Sequence, residues 1–171
     1  KPSSEGAKKY DTATFYSISN CQEGLSRVTL GNFLIKRVVY EIQEELPNIK
    51  KFGTLSPIPG FRDWLITLDE KIIQNILGKV PYHNVSFLKS TDLKAGDGRI
   101  ISNKQIIIKL VAHYLMNEKN KKGLPINDVC RFHLGNGAII DDININANVS
   151  EVGLNRSFGV MVNYLYELKN I

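Results

Sequence analysis

The chain has 171 residues, which suits one domain with a real core that needs neither disulfides nor metal. Its 43% hydrophobic and 23% charged content is that of a soluble globular protein, and no apolar run approaches the roughly 20 residues of a membrane span. The net charge of +5, from 22 Lys+Arg against 17 Asp+Glu, suits an anionic partner such as a phosphorylated cofactor. The basic residues are scattered apart from Lys119, Lys121 and Lys122. No aromatic–basic interleaving argues for nucleic acid. Cys21 and Cys130 lie far apart, and His83, His113 and His133 show no ligand spacing. A disulfide framework and a metal site are both disfavoured, and a reducing compartment is expected.

Residues 1–14 are polar and lack the apolar centre of a signal peptide, so they read as a flexible lead-in. "FYSISN", residues 15–20, alternates like a strand. A glycine-bearing loop follows over 21–31. In residues 32–46, Phe33, Leu34, Val38, Ile42 and Leu46 recur at threes and fours, an amphipathic helix that Pro47 stops. Residues 49–56 read as a second strand, completing a strand–loop–helix–strand unit of α/β character. Residues 60–78 read as one or two helices ending near Gly78. Residues 80–100 read as a variable loop with short helical pieces. Residues 102–120 form a helix, capped by Ser102 or Asn103 and with Lys119 in its last turn. After a connection over 121–127, residues 128–140 begin as a short helix and end as a strand. "IIDDININANVS", residues 139–150, alternates as a half-buried strand does, and residues 159–170 fit a last strand through Val160, Val162, Tyr164 and Tyr166.

Three stretches bear on chemistry. Gly24 and Gly31 let backbone approach a ligand closely, and the unpaired N–H groups of the following helix suit phosphate. Arg27 adds a charge-assisted contact there. An unliganded strand-to-helix turn explains the same glycines. In "RFHLGNGA", residues 131–138, His133 suits proton transfer near neutral pH, its reference pKa being near 6.5, and Gly135 and Gly137 allow close backbone approach. The competing reading is a buried histidine bonded to a carbonyl, with "GNG" as a turn. His113 reads as a packing residue of its helix, and His83 has no assigned role. In "TLSPIPGF", residues 54–61, Ser56 lacks a GxSxG setting. It either caps the turn before Pro57 or is a hydroxyl held in place by the stiffness of Pro57 and Pro59.

Taken together, "FYSISN", "GLSRVTLGNFLIKRVV", "LSPIPGFRDWL", "RFHLGNGAII" and "NVSEVGLNRSFGVMVNYLYEL" resemble, in order and spacing over residues 15–168, the malonyl-CoA decarboxylase family. The resemblance implies a GNAT acyltransferase-like fold, a single α/β domain with a mixed sheet flanked by helices and coenzyme A in a cleft. It implies conversion of malonyl-CoA to acetyl-CoA and carbon dioxide. Neither a metal nor a cofactor beyond the coenzyme A moiety of the substrate is expected. By the same resemblance, the loop Ser26, Arg27, Val28, Thr29, Leu30, Gly31 and Asn32 binds the coenzyme A pyrophosphate. The same resemblance implies that Ser56 and His133 form the active-site pair, which is expected to hold the carboxylate and supply the proton.

The family's helical N-terminal domain, used for homo-oligomerisation, is not in this sequence. No nucleic-acid or membrane partner is implied, and the compartment is intracellular: mitochondrial, peroxisomal or cytoplasmic. The sequence departs from the family pattern in residues 79–100, in the strand after "NGA", where tryptophan and arginine are often found, and in ending "KNI" rather than in a peroxisomal tripeptide. A coenzyme A-dependent acyltransferase and a non-catalytic coenzyme A-binding module are the alternative readings.

Overall fold

The computed structural model describes residues 10–16, 30–78, 86–90, 94 and 97–167. The elements in chain order are β1 (Thr12–Tyr16), α1 (Leu30–Glu45), β2 (Lys51–Pro57), α2 (Phe61–Thr67), α3 (Glu70–Leu77), a 3-10 turn (Ser86–Lys89), α4 (Gly98–Ser102), α5 (Lys104–Met116), α6 (Asp128–Gly135), β3 (Ala138–Asn144), α7 (Glu151–Ser157) and β4 (Met161–Tyr166). The strands form one sheet in the order β1-β2-β4-β3. The chain divides into two compact units: residues 1–56, 133–141 and 163–171, and residues 57–132 and 142–162.

In the first unit β1 runs parallel to β2, with Thr12 opposite Lys51 and Tyr16 opposite Leu55. Parallel neighbours need a crossover, and α1 lies within it. β1 starts at Thr12, inside the stretch read as lead-in and three residues before the expected strand. Residues 17–20 lie outside the described residues. Phe15 stacks on Phe52 with ring centroids 6.4 Å apart. Among the described side chains of α1, Ile35 and Val39, one turn apart, are buried, whereas Val38, Ile42 and Leu46 are half-buried. Arg37 and Glu41 pair at 2.7 Å on the exposed side. Ile49, Phe52, Ala138, Tyr164 and Tyr166 are also buried in this unit.

The second unit is built around Phe61, which is fully buried. Its ring centroid lies 5.9 Å from Trp64, 5.6 Å from Tyr114 and 5.9 Å from Phe158. The Pro59–Gly60 turn that opens α2 is pinned through the Pro59 carbonyl. That oxygen accepts from the Tyr114 hydroxyl (3.1 Å) and the Asn127 amide (2.8 Å). Gly60 adopts φ +78°, and a β-carbon there would lie 2.9 Å from the Tyr114 oxygen. The expected one or two helices over 60–78 are two, and Gly78, at φ +73°, closes the second.

The helix expected over 102–120 is shorter, running Lys104–Met116. Asn103 precedes it, but its side chain donates back to the Arg99 carbonyl (2.8 Å) instead of capping. Lys119 falls outside the helix, bridged to Pro125.

α7 had no counterpart in the sequence reading, which ran the preceding strand on to residue 150. β3 stops at Asn144, and its burial does not alternate cleanly. The Ser150 hydroxyl accepts from Gly153 N (3.1 Å) and starts α7. Gly153 sits so close to the Asn148 carbonyl that an added β-carbon would lie 2.3 Å from it. Phe158, at φ +56°, ends the helix.

Candidate active site

Residue 54 and residue 56 are two apart on β2, and residues 164 and 166 are two apart on β4. Side chains two apart on a strand leave the same face. Thr54, Ser56, Tyr164 and Tyr166 are all buried. His133 is also buried, at 3% exposure, in the last turn of α6. All five belong to the first unit.

The Ser56 Oγ lies 3.2 Å from His133 Nε2 and 2.9 Å from Thr54 Oγ1, to which it donates. His133 Nδ1 lies 2.8 Å from the Tyr166 hydroxyl. Thr54 Oγ1 also receives Tyr164 N at 3.4 Å, and the Thr54 carbonyl accepts from the Asn163 amide at 2.8 Å.

Each hydroxyl has one proton, so the chain of bonds has a direction. With the Ser56 proton on Thr54, the Ser56–His133 bond takes its proton from Nε2. Nδ1 is then an acceptor and Tyr166 donates to it. The imidazole also lies flat against Tyr164, with centroids 4.4 Å apart and planes 22° from parallel. The ring is thus fixed at both nitrogens and on one face.

Burial sets the protonation states. Desolvation lowers the His133 pKa to about 4, so the imidazole is neutral across the physiological range. This differs from the ordinary value assumed from sequence. Desolvation also raises the Tyr166 phenol above its usual range, which keeps it a protonated donor.

Ser56 lies in β2 with its hydroxyl on Thr54 and His133, not on a turn. His133 has a hydroxyl at each ring nitrogen, Ser56 on Nε2 and Tyr166 on Nδ1. Gly135 is the last residue of α6, and Gly137, at φ +82°, lies in the turn before β3. Thr54, Tyr164 and Tyr166 did not figure in the sequence reading of the site. The alternation that made residues 159–170 a strand was the available signal for the two tyrosines.

Among the loop residues, Ser26, Arg27, Val28 and Thr29 lie outside the described residues. Leu30, Gly31 and Asn32 form the first turn of α1. His83 and Cys21 also lie outside them. Cys130 is buried, and its thiol donates to the Leu115 carbonyl (3.6 Å). His113 packs as expected, stacked on Trp64 (6.1 Å) and 3.5 Å from Glu118. Among the described residues no cluster of His, Cys, Asp and Glu could hold a metal ion, and no helix is long and apolar enough to cross a membrane.

The model of the malonyl-CoA decarboxylase C-terminal domain matches residues 2–171. The chain belongs to the malonyl-CoA decarboxylase family. The mitochondrial malonyl-CoA decarboxylase of Rattus norvegicus is 39% identical to it over 183 residues, covering 96% of this chain and 37% of the relative. This malonyl-CoA decarboxylase domain thus spans little more than a third of that relative's length. The crystal structure of malonyl-CoA decarboxylase from Rhodopseudomonas palustris superposes with a TM-score of 0.79 at 40% identity, over 96% of this chain and 38% of that one. The loading GNATL domain of CurA from Lyngbya majuscula superposes at 0.55 with only 14% identity, over 94% of this chain and 57% of that one. That likeness is one of fold, and the fold is GNAT-like.

Proposed function

We propose that this chain carries the catalytic portion of a malonyl-CoA decarboxylase and converts malonyl-CoA to acetyl-CoA and carbon dioxide. The observation that carries the proposal is the buried Ser56–His133 contact of 3.2 Å, backed by Tyr166 on the other ring nitrogen. The Ser56 and His133 pair holds the malonyl carboxylate through neutral donors. A neutral imidazole stabilises that carboxylate less than an imidazolium would, so the ground state is not over-bound. A poorly solvated carboxylate also loses carbon dioxide more readily.

The bond from the carboxylate carbon to C2 breaks, its electron pair passes to C2 and the thioester oxygen, and carbon dioxide leaves. The Ser56–His133 pair delivers a proton to C2, and solvent replaces it. General acid catalysis of this kind contributes ~10²–10⁴-fold. The coenzyme A moiety is the only carrier in this scheme. Its pyrophosphate is held by residues 26–32, a reading supported by α1 opening at Leu30, where unpaired N–H groups are expected. A mitochondrial setting belongs to the same reading and is supported by the name of the rat relative.

Incubation of the purified chain with malonyl-CoA, followed by acetyl-CoA formation, tests this. The parent should turn over, and Ser56→Ala and His133→Ala should each lose about 10²-fold or more. Full activity in both variants overturns the site. Transfer of the acyl group to an added amine without release of carbon dioxide overturns the reaction.

A further inference from the structure

The turn after α6 carries a polar group with no partner. Asn136 Nδ2 is buried and finds no hydrogen-bond acceptor. Buried amide donors are nearly always paired, so each exception calls for an explanation. Asn136 belongs to the same unit as Ser56 and His133. Its backbone N–H donates to the His133 carbonyl (3.1 Å), and Gly137 N–H donates to the Leu134 carbonyl (3.1 Å). Bonds of this i to i+3 kind give the tight geometry in which side chains three apart eclipse. Residue 136 therefore lies one tight turn beyond residue 133, on the same side of the chain.

The neighbouring donors are committed. Tyr166 donates to Nδ1, and the Ser56 O–H and His133 Nε2–H, which bond Thr54 and Ser56 in the folded chain, turn to the malonyl carboxylate in the reaction proposed above. The reaction proposed above places new negative charge on the thioester oxygen. We propose that Asn136 is a further catalytic residue, whose Nδ2–H donates to the thioester carbonyl oxygen of an acyl-coenzyme A and holds it as it becomes an enolate. This rests on the decarboxylase reading of the same site. The donor is set in the folded protein and lacks only its acceptor, as preorganised stabilisation of an oxyanion requires.

Asn136→Leu tests the assignment. Among the described non-glycine residues only Asn146 and Phe158 have positive φ, so leucine meets no backbone strain at residue 136. The variant should lower kcat about 10²–10³-fold, the loss that accompanies removal of one such donor, with KM changed by less than about threefold. Its thermal midpoint should be unchanged or higher, because an unpaired buried donor has been removed. Binding adds a readout independent of turnover. The parent should prefer acetyl-CoA to S-ethyl-CoA, which lacks the carbonyl, and Asn136→Leu should abolish that preference.

An active variant with the parent's kcat and the parent's preference overturns the role of Asn136 and leaves the decarboxylase reading standing. A variant that loses activity and thermal midpoint together makes Asn136 structural and also overturns the role. A parent without decarboxylase activity overturns both.

Discussion

His133 should couple folding to pH in a window that an ordinary histidine does not share. Its pKa is near 6.5 when solvated and about 4 in the folded chain, lowered by desolvation. Above pH 6.5 both folded and unfolded states hold a neutral ring, and the residue's stabilising contribution is complete. As the pH falls from 6.5 towards 4, the unfolded chain takes up a proton that the folded chain refuses. Stability is lost at about 1.4 kcal/mol per pH unit, reaching about 3 kcal/mol in total below pH 4. Between pH 7 and pH 5 the share of His133 is about 2 kcal/mol.

The perturbation is His133→Gln, which removes titration while keeping a polar side chain. The assay is urea unfolding of parent and variant at pH 7, 6 and 5. The stability difference between the two proteins is the quantity to follow, because His113, His83 and the carboxylates are common to both. That difference should shift by about 2 kcal/mol against the parent between pH 7 and pH 5. A difference that stays constant with pH would show that the ring titrates as if solvated, and the buried geometry would be wrong.

Two further outcomes follow from the packing. Tyr166→Phe keeps the ring but removes the hydroxyl 2.8 Å from Nδ1. It should lower the unfolding free energy by about 1–3 kcal/mol for the acceptor left unpaired. It should also slow turnover about tenfold as the tautomer is released, tenfold corresponding to about 1.4 kcal/mol. Parent-like stability and rate would show that the hydroxyl is idle. Gly153→Ala should lower the thermal midpoint even though alanine is the better helix former by ~1 kcal/mol. Its β-carbon would meet the Asn148 carbonyl at 2.3 Å, and crowding of a packed site costs about 1–3 kcal/mol. A higher midpoint would show that the 145–150 segment yields freely.

Much of the local architecture was already legible in the residues. The helix and Pro47 between two strands specified a strand–loop–helix–strand unit of α/β character, because periodicity and proline act over a few residues. The paired motifs around Ser56 and His133 supplied two residues of the site through their resemblance to a family. Other features were not local and were not legible. α7 is short and contains a glycine, so its helical pattern was outweighed by the alternation before it. Its start depends on Ser150 and its glycine on the nearness of Asn148.

The sequence by itself determined most of the order of strands and helices, α7 excepted, and the chemistry available at Ser56 and His133. Only the tertiary structure brought those two side chains to 3.2 Å from each other. Strand alternation told which side chains share a face but not which strands are neighbours. Once Thr54, Tyr164 and Tyr166 come to surround the pair, the Ser56 hydroxyl is drawn onto His133 and away from any turn. Desolvation then makes the imidazole a neutral group near pH 7. Burial and long-range pairing are properties of residues far apart in the chain, and no stretch around "TLSPIPGF" or "RFHLGNGA" carries them alone.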